Sequence, residues 1–280
     1  MWHRPVILSL SCSLALAACG GDGAPVPPAT AASRATVVWA VGDGGTGTKA
    51  AKQVAALIAR DRPDHVIYLG DVYDHGTREE FQTKFAPVYG ALARRMWPTP
   101  GNHDWPSHAT GYGPYWRAAL GRRLPYRYER RAGGWRVLSA NSETPDDPRQ
   151  LAWLRERTSG GGDCRIVFWH KPHLNAGLHR ADQAAVAPLW DAVEGHTAIA
   201  LAGHDHNMQR FKPVGGTTEY VSGAGGKDRY ALDARDPRLA FSDDDNYGAL
   251  RIELRPGRAD LRFVASDGRI LDRSKVTCEG

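Results

Sequence analysis

Five short motifs each close a predicted strand, and each carries side chains able to bind a hard or borderline cation. In order they are GDGG (42–45), GDVYDHG (70–76), GNHD (101–104), VFWH (167–170) and GHDH (203–206). Every candidate ligand therefore lies at the carboxyl end of a strand, where open α/β sheets place their sites. Asp43, Asp71, Asn102, His170, His204 and His206 together offer two carboxylates, one amide oxygen and three imidazoles. That donor set is large enough to hold two cations close together.

The rest of the chain supplies a frame for such a crest. The segments 36–41 and 66–69 are apolar, β-branched runs ending in Gly-Asp, and 49–60 between them has helical spacing. A helix over 78–93 and a strand over 95–99 follow, then an aromatic loop region over 105–123. Strands are predicted over 126–130 and 135–140, joined by a Gly133-Gly134 turn. Helices over 149–158 and 183–193 alternate with strands over 165–169 and 197–202. After that only strands are predicted: 208–213, 219–222, 247–254, 258–264 and 269–276. Front β-α alternation and an all-β back predict two mixed sheets with helices outside, a four-layer α/β/β/α sandwich.

At 280 residues, with 42% hydrophobic and 24% charged, the chain has room for one large domain, placed at 36–280. The formal charge of +5 comes from arginine pairs scattered among acidic residues. This predicts a solvated, mixed-charge surface and no nucleic-acid-binding face. Residues 1–18 read as a signal peptide, with a basic start and an apolar core of signal-peptide length. The run ends in Leu16-Ala17-Ala18-Cys19, which resembles the bacterial lipoprotein signal. Cys19 is then expected to carry lipid and hold the protein to the membrane. Residues 19–35 read as a flexible tether, and the domain as exported to the periplasm or outside the cell. Cys164 and Cys278 remain in the domain, as a disulfide or as two separate thiols.

Each motif has a bland reading. A single Gly-Asp turn is usually only a turn, but two of them after two buried strands point to paired carboxylates at Asp43 and Asp71. Asn102 can offer an oxygen without charge. His103 then stands beside the ligands, and Asp104 is placed to hold its imidazole as a proton donor. His204 and His206, at i and i+2 on an extended segment, point to one side. His75, His108, His173 and His179 fall in or near the site loops as candidate substrate contacts or solvated residues. Asp243-Asp244-Asp245 reads as a solvated turn.

In order and spacing, these motifs resemble the calcineurin-like metallophosphoesterase superfamily, and within it the purple acid phosphatases. The resemblance runs from about 37 to 226, including QLAWL (150–154) and YVSGAGG (220–226). It implies that Asp43 and His206 serve a first metal and Asn102, His170 and His204 a second, with Asp71 bridging. It also implies that His103 touches the leaving-group oxygen. Two positions depart from common patterns. Gly45 stands where many superfamily members have a histidine. The slot of the phosphatase tyrosine holds Asp74, with Tyr73 one place earlier, so Tyr73 or Asp74 could complete the first metal. The ions would be divalent or trivalent Fe, Zn or Mn. The implied activity is hydrolysis of a phosphate ester substrate by attack of metal-bound hydroxide, of acid phosphatase type and acting on monoesters. The alternatives are a phosphodiesterase acting on nucleotides or lipid head groups, and a catalytically silent metal-binding lipoprotein.

Overall fold

In chain order the strands are β1 (Thr36–Val41), β2 (His65–Tyr68), β3 (Met96–Pro98), β4 (Tyr128–Ala132), β5 (Trp135–Ser139) and β6 (Cys164–Phe168). They continue with β7 (Ile199–Ala202), β8 (Met208–Phe211), β9 (Thr218–Ser222), β10 (Leu239–Asp243), β11 (Gly248–Arg255), β12 (Arg258–Ala265) and β13 (Ile270–Thr277). The computed structural model describes residues 1–3, 34–161 and 164–278. The predicted leader core, Cys19 and most of the tether lie outside the described residues. Among those described, no helix is long and apolar enough to cross a membrane.

The strands form two mixed sheets, as the sequence predicts. One has the order β13-β12-β11-β1-β2-β3 and the other β10-β8-β9-β7-β6-β5-β4. Within the first, β1, β2 and β3 are parallel. Within the second, β5, β6, β7 and β9 are parallel. The carboxyl ends of the parallel strands in both sheets carry the motif turns.

Alternation along the strands explains the layers. Ile166 and Phe168 of β6, with Ile199 and Leu201 of β7, pack in one apolar cluster with Val38, Ala40, Leu250 and Ile252 of the first sheet. The intervening Val167, Ala200 and Ala202 join a second cluster with Leu154, Leu189 and Trp190, which come from two helices on the outer face. Both faces of these strands are therefore buried, which is why they read as unbroken apolar runs. The helix Lys49–Arg60 turns Val54 and Ile58 into the core, and Thr48 caps it by accepting from the Ala51 N–H at 3.2 Å.

Three expectations change. The helix predicted over 78–93 is a chain of shorter helical pieces, with a π-helical turn at Phe81–Phe85 and a 3₁₀ stretch at Gly90–Arg95. The region 105–123 contains a helix, Tyr112–Leu120, with Pro114 in its first turn, where proline's missing N–H has no helical partner to lose. Its Tyr112 and Trp116 are buried against Phe81 and Phe85, so they build core rather than cover a site. Strand β10 was missed; it is a short edge strand paired only with β8. Of the two open readings for the cysteines, the structure has the disulfide Cys164–Cys278, tying the start of β6 to the end of the first sheet.

Candidate metal centre

Asp43, Asp71 and His204 follow β1, β2 and β7, and all have left-handed backbone, at φ of 60°, 71° and 71°. Non-glycine residues pay about 1–3 kcal/mol each for this, and such strain persists only where the surroundings enforce it. Here the turns enforce one another. The His204 N–H donates to Asp43 Oδ2 at 2.8 Å, and the Asp43 N–H donates to the Gly70 carbonyl at 3.0 Å. Space is as tight as the hydrogen bonding: a Cβ on Gly101 would fall 2.0 Å from Asp71 Oδ1. Only glycine lets the GNHD turn pass so close to the Asp71 carboxylate.

The side chains converge. Tyr73 Oη lies 2.8 Å from Asp43 Oδ1 and 2.8 Å from His206 Nε2. His170 Nε2 lies 3.0 Å from Asn102 Oδ1, 3.2 Å from His204 Nδ1 and 3.4 Å from Asp71 Oδ2. Ligand atoms of Asp43, Asp71 and His170 all lie within 4.8 Å of one another. Two groups result, Asp43–Tyr73–His206 and Asn102–His170–His204, with Asp71 among them.

Each imidazole is fixed from behind. His170 Nδ1 faces the Leu69 carbonyl at 2.7 Å, His206 Nδ1 the Asp228 carbonyl at 2.6 Å, and His204 Nε2 the Asp182 carboxylate at 2.9 Å. These partners accept, so the ring nitrogens facing them carry the protons. The opposite nitrogens point inward as lone pairs, toward the Asp71 and Asp43 carboxylates and the Asn102 oxygen. Among the described residues, the protons that reach these carboxylates are the Tyr73 hydroxyl and the His204 N–H on Asp43, and the His103 N–H on Asp71. An acceptor-rich cluster with outward-anchored histidines is what bound cations require, and the residues fit a pair of them. Without a metal the cluster draws protons instead. Burial works against the charged form of His170, but Asp71 and then Asp43 outweigh it and raise it to about 10. Burial likewise raises Asp43 to about 8, and it lowers His204 to about 3 and His206 to about 4.

Tyr73, not Asp74, enters the centre. Asp74 turns outward, 3.1 Å from Lys227 Nζ and 3.9 Å from Lys84 Nζ. Lys227 Nζ also stands 4.6 Å over the Tyr73 ring. His103 sits at the rim with its side chain about one-third exposed, its ring 4.5 Å from that of Tyr73 and its Nε2 3.9 Å from Asp71 Oδ2.

Asp104 needs correction. It does not touch the His103 ring, whose Nδ1 faces the Asp74 carbonyl at 2.6 Å. Its buried carboxylate instead accepts three backbone N–H groups, from Asp71 at 2.8 Å, Gly101 at 3.0 Å and Val72 at 3.0 Å. A buried carboxylate must be satisfied, and the nearest donors are the free amides of two tight turns. Asp104 thus binds the GDVYD turn to the GNHD turn.

Of the other histidines, His179 comes closest. Its ring centroid is 4.3 Å from that of His204, and Asp205 Oδ1 lies 3.2 Å from its Nδ1. The hydrogen bond to Asp205 outweighs burial and raises its pKa. His108 instead stacks on Trp105, and His173 on Trp190. Sequence reasoning missed Asp182, Asp228 and Tyr230, whose ring stacks 3.9 Å from that of His206. None of the three stands in a motif. Asp243 accepts from Asp245 and Asn246 N–H groups in a turn.

The model of the calcineurin-like phosphoesterase family matches residues 36–208. Tartrate-resistant acid phosphatase type 5 of Sus scrofa is 24% identical, over 97% of this chain and 95% of that protein. The glycerophosphodiester phosphodiesterase GpdQ of Enterobacter lignolyticus (strain SCF1) is 30% identical, over 53% of this chain and 58% of that protein. Among solved structures, purple acid phosphatase PPD1 from yellow lupin seeds superposes with a TM-score of 0.71 at 15% identity, over 89% of this chain and 55% of that one. GAP50 of Plasmodium, described as the anchor in the inner membrane complex, gives 0.74 at 15% identity, over 89% and 90%. These two likenesses concern the fold.

Proposed function

The chain belongs to the calcineurin-like phosphoesterase family and is a phosphate ester hydrolase; from that premise we propose a dinuclear phosphomonoesterase of acid phosphatase type. One observation carries the proposal: a buried set of inward-facing acceptors, with each of the three imidazoles anchored from behind. Asp43, Tyr73 and His206 would hold a first ion, Asn102, His170 and His204 a second, and Asp71 would bridge. When bound, such ions supply Lewis acidity toward the phosphate oxygens and toward the attacking water. Fe, Zn and Mn all suit this mixture of oxygen and nitrogen donors.

The chain's own residues do the rest. The Asp74 carbonyl holds the proton on His103 Nδ1, which leaves Nε2 directed into the cleft. From the rim, protonated Nε2 can hand a proton to the departing alkoxide. His179, whose charged form the Asp205 carboxylate favours and which stands beside His204, offers a donor to a phosphate oxygen.

The activity is tested with p-nitrophenyl phosphate and its bis ester, each with and without chelator. Chelator-sensitive turnover of the monoester in preference to the diester supports the proposal. Preference for the diester would move the protein to the phosphodiesterase reading, toward which the likeness to a glycerophosphodiester phosphodiesterase points. No turnover with full metal content would leave a silent metal-binding lipoprotein. We also propose export and lipid anchoring at Cys19, supported by its leader-like surroundings. Cys19→Ser should move the protein from the membrane fraction to the soluble one; an unchanged membrane fraction would refute the anchor.

A further inference from the structure

Beside the metal centre lies a cavity of about 380 Å³, lined among others by Leu178, Arg180, Ala231, Leu232, Asp233 and Arg235. Two loops form it, and the immediate neighbours of its lining residues face the centre. His179, between Leu178 and Arg180, stands against His204; Tyr230, just before Ala231, stacks on His206. The rings of His179 and Tyr230, 5.2 Å apart, form a ridge with the candidate ligands on one side.

The loops are held in place. The Asp233 N–H donates to the Ala176 carbonyl at 2.8 Å, joining one to the other. The Ala176 N–H donates to buried Gln209 at 2.8 Å, and the Leu232 N–H donates to Asp244 at 3.1 Å. A site so braced can bind without first being ordered.

Its lining combines an apolar surface with cations. Leu178 is 63% exposed, unusual for a large apolar side chain here. Arg235 pairs with Asp233 at 3.5 Å, while the Arg180 guanidinium has no hydrogen-bond or ion-pair partner among the described residues. The pocket thus carries one uncompensated positive charge beside apolar carbon.

Resting on the phosphoesterase reading, we propose that this pocket is a subsite for the alcohol portion of the substrate, selecting phosphate esters that carry a second anionic group. Arg180 receives that group, and Leu178 packs on the carbons between it and the ester. Such substrates would be phosphorylated hydroxy acids or bisphosphates, which share the same anionic oxygens.

The test compares phenyl phosphate, 3-carboxyphenyl phosphate and an aryl bisphosphate in the wild type, Arg180→Ala and Arg180→Lys. We expect the wild type to prefer the doubly anionic esters through KM. Arg180→Ala should cut that preference roughly fivefold to tenfold, as for one lost charge-assisted contact, and Arg180→Lys should restore part of it. A carboxylate-only or phosphate-only preference identifies the source. An unchanged ratio in Arg180→Ala, or an equal fall for all three substrates, overturns the subsite. If nothing is hydrolysed, the phosphoesterase reading fails on its own. Binding of phenylphosphonate and 3-carboxyphenylphosphonate then reads the pocket: Arg180→Ala abolishing the carboxylate preference supports it, and equal wild-type affinities overturn it.

Discussion

Asp104→Asn separates two roles for a residue that stands next to His103, the proposed proton donor, in sequence. Burial and the Asp71 charge raise the Asp104 carboxyl to about 7, so at pH 8 it is ionised and accepts from Asp71, Gly101 and Val72. Asparagine keeps one oxygen. In the best case that oxygen replaces Oδ2 and retains the Asp71 and Gly101 bonds. The amide nitrogen then faces the Val72 N–H, donor against donor. The bond lost to the charged acceptor leaves that buried N–H orphaned, which costs roughly 2–3 kcal/mol, offset in part by the desolvation and Asp71 repulsion that the neutral amide escapes. For a domain of this size that lowers the melting temperature by about 5 °C. The Asp71 turn, with its left-handed backbone, loses its clamp, so metal content should fall with stability. Melting curves at pH 8 and metal analysis of the purified variant measure both. A variant with wild-type melting and full metal, slowed only in turnover and mainly on poor leaving groups, would refute this reasoning. It would return Asp104 to the role of orienting His103.

His103→Ala should keep both metals and lose about 10²–10⁴-fold in turnover. The loss should be larger for alkyl phosphates than for p-nitrophenyl phosphate, whose leaving group needs little protonation; an equal loss on both would mean that His103 orients phosphate. Tyr73→Phe removes the hydroxyl between Asp43 and His206. Chelator titration should show one ion weakened and the other little changed, and two unaltered ions would exclude Tyr73 as a ligand. Opening Cys164–Cys278, which closes a span of 114 residues, should cost about 4–5 kcal/mol by the chain-entropy account. Paired Cys→Ser replacement should therefore lower the melting temperature, and an unchanged melt would show that the bridge contributes no stability.

The crest was readable because its strands are buried on both faces. Ile166 to Phe168 and Ile199 to Ala202 have no polar alternation to blur where the strand stops, so the residue after each run is plainly a turn residue. What surrounds the crest was not readable. Asp182 supports His204 from 22 residues away, in a loop whose position depends on side chains from other strands. The Leu69 and Asp228 carbonyls that orient His170 and His206 have no side-chain signature at all. The helix Tyr112–Leu120 was hidden by the glycines at 111, 113 and 121, and β10 by its short, half-exposed, partly polar sequence.

The choice between Tyr73 and Asp74 shows where spacing stops deciding and energy begins. Counting residues from Asp71 favours Asp74, and a carboxylate is a competent ligand. Placing it inward would bring a third carboxylate beside Asp43 and Asp71, in a pocket where burial already raises Asp43 to about 8. Burying another like charge there is expensive. A phenol enters neutral and donates its proton to Asp43, which lowers the repulsion that a carboxylate would raise. Outside, Asp74 meets Lys227 and Lys84, and Lys227 in turn lies over the Tyr73 ring. The shortened loop therefore turns its aromatic residue inward and its acid outward, because that assignment leaves the fewest buried charges to be met by the metals.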